Sequence, residues 1–461
     1  MNRKASTVIL AATLILRSAA GSAQQPVPEL ISRDSLQRIV SERVAAGRST
    51  GLIVGAASAS DERQVAATGF ERPGTPIDRH TLFEIGSITK AFTGILLAEM
   101  VLRGEVRLDQ PVAELLPPTV RMPSRSGKPI TLGDLASQVS GLTRLPSNMR
   151  PADAANPYAD YTVAQMYEFL GQHELRRDPG AQYEYSNLGV GLLGHALALR
   201  AGKPYEQLLR ERVLTPLGMT STGIVLTEGM KRRMSEGHDP SGRVVPLWDL
   251  PTLAGAGALR SSLDDMMKFA SAVMSPPDNA IGRAIRLSVA PRFRVNEALS
   301  LGLNWHRVIL GGDTIIFHNG GTAGFRTYLG VNPRRGVAVV LLGNSAQDNE
   351  DIARHVLVPS LPLIAIVHRK EIALPADVLA QYVGEYRLLP QLSLTVTLEG
   401  NALQAQPTGQ PKFPLFAEAR DRFFLKVVDA QIEFRRDSTG AVTGLTLFQN
   451  GNALPGSRTP E

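Results

Sequence analysis

A serine and a lysine stand three residues apart in Phe83-Glu84-Ile85-Gly86-Ser87-Ile88-Thr89-Lys90. If a helix starts there, Ser87 and Lys90 share one face of it. A serine hydroxyl is a weak nucleophile at neutral pH and needs a base beside it. A lysine serves when burial and neighbouring positive charge lower its pKa. The start of a helix also aims backbone N–H groups at a developing anion. One such pair carries little information, because about one S-x-x-K arises by chance in a chain of 461 residues. Taken alone, Ser87 reads as well as a helix cap beside a solvated lysine.

Two further segments carry polar groups at useful spacings. In Tyr183-Glu184-Tyr185-Ser186-Asn187, extended backbone points Tyr185 and Asn187 into the same pocket. A phenol relays protons when nearby cations depress its pKa. An asparagine amide can hold a substrate amide and a lysine together. In His318-Asn319-Gly320-Gly321, glycines after a polar residue let the backbone approach a substrate closely. An exposed backbone N–H there could complete an oxyanion hole with that of Ser87. Each segment also has an ordinary reading, as a loop tyrosine with an asparagine turn and as a histidine beside a hairpin. Gly189, Gly191 and Gly194 match G-x-G-x-x-G, but inside an apolar helical pattern; they read as small residues for close helix packing, not as a dinucleotide site. There is no G-x-S-x-G, H-E-x-x-H, P-loop or EF-hand loop.

The elements that must position these residues are legible in outline. Apolar spacing predicts a helix over 34–46 opened by Asp34, then strands over 51–59 and 64–70. A strongly apolar helix runs from Thr89 to Arg103 and stops at Gly104. Thr162-Val163-Ala164-Gln165 is a capping box opening a helix, and Leu188–Arg200 is another, ending near Gly202. Strands follow over 303–309, 314–318, 325–331 and 337–342, then a helix after Gln347. This order predicts an α+β domain with a sheet drawn from both chain ends and a helical insertion between them. Prolines 359, 362 and 375 punctuate a linker over 359–375. From Ala376 to Glu461, short strands over 382–387, 393–398, 423–428, 432–435 and 445–449 predict a small all-β barrel or sandwich.

The three segments occur in the order S-x-x-K, Y-x-N, H-x-G, which resembles the serine β-lactamase and penicillin-binding-protein family, in its class C, DD-peptidase and esterase branch. Residues 132–142, 179–193, 216–219, 255–269 and 302–305 also resemble that family's recurring stretches. The resemblance spans about residues 30–355, and residues 376–461 resemble the lipocalin-like β domain appended to some of its members. It implies a β-lactamase/transpeptidase-like domain over 27–358, with an antiparallel sheet and a helical insertion. It further implies that Ser87 is acylated, that Lys90 helps take its proton, and that Tyr185 passes the proton to the leaving group and then activates water. Asn187, His318 and Gly320 would contact substrate, with Asn187 also holding Lys90. The N–H groups of Ser87 and Gly321 would form the oxyanion hole. Which of Lys90 and Tyr185 is the working base stays open. His318 departs from the Lys-Thr-Gly of efficient class C β-lactamases. Unlike lysine, a histidine with an ordinary pKa is only partly charged near pH 7, so weaker β-lactam turnover is expected.

The implied activity is hydrolysis of an amide or ester in a D-amino-acid or cell-wall-like peptide or a β-lactam. A small-ester esterase and a slowly deacylating β-lactam sensor or peptidoglycan-binding protein are the alternatives. Composition fits an enzyme of this kind. There is no cysteine, hence no thiolate nucleophile, and the histidines lack ligand spacing, so no metal or other cofactor is expected. Arg3 and Lys4 precede an apolar run to Leu16 and small residues to Ala23, which read as a cleaved signal peptide over 1–23 and an exported, periplasmic or secreted protein. Cleavage would lower the net charge from +6 to +3. The remaining arginines are scattered, so no nucleic-acid partner is expected, and no run is long enough for a stable membrane span.

Overall fold

The computed structural model describes residues 30–60, 63–366, 369–410, 412–425, 430–449 and 452–459. The signal peptide read over 1–23 lies outside them. The larger part of the chain is built on a nine-stranded antiparallel sheet. Its order is Phe293–Arg294, Leu299–Leu301, His306–Leu310, Asp313–Gly321, Arg326–Asn332, Val337–Gly343, Gly51–Ser58, Arg63–Arg72 and Thr75–Pro76. Both chain ends do supply the sheet. Gly51–Ser58 pairs with Val337–Gly343 from Leu52–Gly343 to Ser58–Val337.

Those two strands are buried along their whole length, because helices cover both faces. Alternate residues point to opposite faces. Leu52, Val54, Ala56, Val339 and Leu341 pack with Leu36 and Val40 of the helix Arg33–Ala45 and with Ile352 and Leu357 of the helix Glu350–Leu357. Ile53, Ala57, Ala338, Val340 and Leu342 face the other way, into the main core with Leu263 and Met266 of the helix Leu263–Met274.

The helix Thr89–Leu102 runs through that core, with every residue from Thr89 to Met100 buried. Its Gly94 permits a close approach, since a Cβ there would lie 2.0 Å from the Leu303 carbonyl oxygen. The G-x-G-x-x-G glycines also serve packing. On the helix Asn187–Ala201, a Cβ at Gly191 would lie 2.5 Å from the Leu253 side chain, and one at Gly194 would lie 3.1 Å from the Cα of Gly255.

Several boundaries differ from the sequence reading. The first helix is capped by Ser32, whose Oγ accepts from the Ser35 N–H, and Asp34 sits in its first turn. The strand read from Leu303 begins at His306, because Asn304 adopts φ 60° and breaks the extended run. The capping box at Thr162 and Gln165 is present, opening Val163–Gln172.

Beyond the linker, eight antiparallel strands close into a barrel of neighbours in chain order, Gly384–Leu389 through Asn452–Arg458. Its core is separate, with Tyr382, Tyr386, Phe423 and Phe434 at its centre. Three strands escaped the sequence reading, Ala402–Pro407, Phe413–Ala419 and Asn452–Arg458. Each carries a proline, the residue that argues most strongly against a strand. The strand read over 423–428 is described as Arg422–Leu425, and its end lies outside the described residues.

Candidate active site

The segment bearing Ser87 is pinned from both sides. Leu82–Glu84 pairs with Arg260–Ser262, a single 3-10 turn follows at Gly86–Ile88, and the buried helix starts at Thr89. Ser87 therefore sits at the N-terminal end of a helix and is half-buried. The strand Asp313–Gly321 lies directly against this turn. A Cβ at Gly320 would fall 2.0 Å from the Ile85 carbonyl oxygen, and one at Gly86, where φ is +50°, would fall 2.7 Å from the Gly321 nitrogen. The Thr327 hydroxyl donates to the Ile85 carbonyl at 3.0 Å, fastening the contact from the neighbouring strand. Gly320 is buried and spaces the two backbones, whereas Gly321 is exposed. The space freed by the missing Gly320 side chain is thus filled by Ile85 and Thr327, not by an open groove.

Lys90 is fully buried. Its Nζ lies 2.9 Å from Ser87 Oγ and donates to the Ala256 carbonyl at 2.6 Å. Burial, helped by the positive charge of Arg144, lowers its pKa well below the ordinary lysine value. A buried amine favouring its neutral form, in contact with a serine hydroxyl, is a base in position.

Tyr185 and Asn187 come from the entry to the helix Asn187–Ala201. Ser186 between them is extended, caps the helix through Oγ, and donates to the Thr143 carbonyl at 2.7 Å. Gln138 holds this segment from behind, accepting from the Ser186 N–H at 2.7 Å. The ring of Tyr185 stands 4.9 Å from Lys90 Nζ and 5.1 Å from the Arg144 guanidinium carbon. Its pKa is raised, despite the cations beside it. Burial outweighs the hydrogen bond to Ser87 and the charge of Arg144. Asn187 Nδ2 donates to the Tyr158 hydroxyl at 3.2 Å, while its buried Oδ1 has no partner. Asn187 therefore does not hold Lys90 in this structure. That buried amide oxygen is left unsatisfied, in keeping with a group that waits for a donor.

His318 is 1% exposed. Burial and the neighbouring His306 and Lys90 push its pKa well down, so it is neutral at pH 7 and not partly charged as its ordinary pKa implied. Its Nδ1 lies 2.6 Å from the Asn319 carbonyl oxygen, where an N–H has to donate. The ring of His306, 5.2 Å away and edge-on, packs in the same cluster, and burial lowers its pKa to about 4. Tyr183 OH lies 3.3 Å from His306 Nε2.

The structure thus brings Ser87, Lys90, Tyr185, Asn187, His318 and the Gly320–Gly321 backbone into one place from three distant parts of the chain. Sequence reasoning missed Arg144, Tyr158, His306 and the Ala256 carbonyl. Two of them had a nearby signal. Ala256 lies inside the family-like stretch 255–269, and His306 follows directly on the stretch 302–305.

A serine in contact with a buried lysine, with a tyrosine and a glycine-rich strand alongside, is the arrangement of a serine hydrolase. The β-lactamase family model matches residues 36–358, and the chain belongs to that family. A second model, described as a domain of unknown function (DUF3471), matches residues 368–457, which cover the barrel. The chain is 29% identical over 361 residues to the D-alanyl-D-alanine-carboxypeptidase/endopeptidase AmpH of Escherichia coli K12, covering 73% of this chain and 89% of that protein. It is 26% identical over 309 residues to a β-lactamase of Pseudomonas fluorescens, covering 60% and 83% respectively. Among solved structures, a β-lactamase/D-alanine carboxypeptidase from Yersinia pestis superposes with a TM-score of 0.60 at 26% identity, covering 70% of this chain and 96% of that one. One of the same description from Pseudomonas syringae gives 0.62 at 22% identity, covering 71% and 99%. No helix among the described residues is long and apolar enough to cross a membrane.

Proposed function

We propose that this chain is an exported serine hydrolase that cleaves D-amino-acid or cell-wall-like peptides through an acyl-Ser87 intermediate, with β-lactams as poorer substrates. The observation that carries this reading is the 2.9 Å contact between Ser87 Oγ and a buried Lys90 whose pKa is lowered. In this reaction Ser87 Oγ attacks the carbonyl carbon as its proton passes to Lys90. The negative charge on the carbonyl oxygen is met by the N–H groups of Ser87 and Gly321. Collapse of the tetrahedral species breaks the amide bond, and the leaving amine takes its proton from the Tyr185 phenol, which is refilled from Lys90. Water then hydrolyses the acyl-enzyme with Tyr185 and Lys90 acting in reverse. The raised pKa of Tyr185 and the lowered pKa of Lys90 favour Lys90 as the base that first receives the proton. Asn187 would use its unpaired Oδ1 to accept from the substrate amide.

The name of the AmpH relative supports a D-alanyl peptide as substrate. A neutral His318 in place of a lysine supports weak β-lactam turnover. The charged start and apolar run of residues 3–16 support export. A fluorescent penicillin should label the wild type covalently and leave Ser87→Ala unlabelled, and a panel of D-Ala-D-Ala peptides, D-amino-acid amides, nitrocefin and p-nitrophenyl esters should show the peptides preferred. Labelling that persists in Ser87→Ala would remove the mechanism. A panel in which only esters turn over would replace the peptidase by an esterase.

A further inference from the structure

Arg144 is an exposed arginine at the edge of this site. Its backbone is held firmly. The N–H groups of Asn187 and Leu188 donate to its carbonyl at 3.0 and 3.2 Å, and the adjoining Thr143 carbonyl takes the Ser186 hydroxyl. Among the described residues, the contact its side chain makes is with the ring of Tyr185, 5.1 Å from the guanidinium carbon. Among the described residues no carboxylate pairs with it. The closest acid in sequence on the tyrosine segment, Glu184, is already bound by Arg177. The charge of Arg144 reaches across the site, acting on Lys90, Tyr158, Tyr183 and Tyr185. Three other basic side chains there are buried and pushed toward their neutral forms, Lys90 beside Ser87, His318 on the third segment and His306 packed against it. On the third-segment side the Arg326 guanidinium, beside Gly321, spends its Nη1 on the Thr322 and Phe325 carbonyls, so the cation whose side-chain donors are all unused among the described residues sits on the Tyr185 side of the nucleophile.

We propose that Arg144 is the specificity-determining residue of this hydrolase, taking the carboxylate of an acidic substrate on the Tyr185 side of Ser87. The guanidinium fork suits a carboxylate in two-point contact, and stacking on Tyr185 leaves its N–H edge open to receive one. This rests on the acyl-serine reading above and deepens it, by separating acids from amides and esters of the same peptide.

The test uses one D-Ala-D-Ala peptide with a free carboxylate and the same peptide as its C-terminal amide. The kcat/KM for both is measured in wild type and Arg144→Gln. Binding of both is measured by calorimetry in Ser87→Ala and in Ser87→Ala/Arg144→Gln. The acid-over-amide ratio should fall about tenfold when Arg144 is replaced, in turnover and in binding alike, with Arg144→Lys recovering part of it. Taking the ratio cancels any change in Ser87 reactivity that follows from the effect of Arg144 on Lys90. Equal losses for acid and amide would overturn the proposal. So would an acid preference that survives Arg144→Gln and disappears in His318→Gln. If neither peptide is turned over, the peptidase reading fails, and the binding ratio still decides for or against Arg144.

Discussion

The chemistry of Lys90 depends on where its proton sits. Burial and Arg144 both disfavour the ammonium form, so the folded pKa lies below the unfolded one. With Lys90 as the proposed base, acylation needs the neutral amine, and its rate should therefore fall as pH drops through that lowered pKa. Removing the charge of Arg144 stabilises the ammonium form, raises the pKa of Lys90 and moves the acidic limb to higher pH. Pre-steady-state labelling with a fluorescent penicillin across pH, wild type against Arg144→Gln, reads this directly; an unmoved limb would mean that Lys90 is not the titrating base. At this scale the sequence exposed the reactive pair, because three-residue spacing at a helix start is a local property. Arg144 was not legible, and His306 only through the stretch it follows. What makes them matter is the Tyr185 ring in one case and a buried histidine on the paired strand in the other, and local spacing sets neither contact.

The contact between the strand Asp313–Gly321 and the turn at Gly86–Ile88 sets the distance between Ser87 and the Gly321 backbone. Gly320→Ala places a methyl group 2.0 Å from the Ile85 carbonyl oxygen and 2.4 Å from Thr327 Oγ1. The strand then has to move away from Ser87. Overpacking of this kind costs about 1–3 kcal/mol. A shift of one ångström at a reacting centre costs about a hundredfold in rate. Penicillin labelling of Gly320→Ala should therefore slow by about that factor, with a melting temperature lowered by a few degrees; normal labelling would mean that the strand does not position the oxyanion site. The same segment shows what pattern reading can and cannot deliver. His318-Asn319-Gly320-Gly321 was recognisable as a glycine-rich approach, yet its glycine serves a backbone-to-backbone contact. Helix starts such as the Thr162 box were readable because a cap is a four-residue matter. The barrel strands carrying Pro407, Pro414 and Pro455 were not, because their hydrogen bonds are completed by partners fixed only once the barrel closes.

Taken whole, the molecule has cores that do not merge. The sheet and helices of the catalytic part hold two hydrophobic clusters, and the barrel holds a third of its own. The connection between them starts from a firm point: Ile364 is held at the catalytic end by Arg43 and Asp351, both of which contact its backbone. Separate cores unfold separately. Scanning calorimetry should thus show two transitions, and acylation by a penicillin should raise only the one belonging to the catalytic part. A single transition, or one in which both features shift together, would mean that the two parts stabilise each other. The division between an α+β part and a β tail was visible from the change in strand spacing near Pro359. The pattern left barrel and sandwich both open for the tail, since closure depends on the long-range pairing of Tyr386 with Arg458.

The pairing of Leu52 with Gly343 carries a consequence for how the protein is made. The middle of the sheet joins the first strand synthesised to one of the last, and Gly321 emerges from the ribosome long after Ser87. Contacts so far apart in sequence form slowly. The middle of the sheet can therefore close only late in synthesis, and Ser87 acquires its full surroundings only when the later strands have arrived.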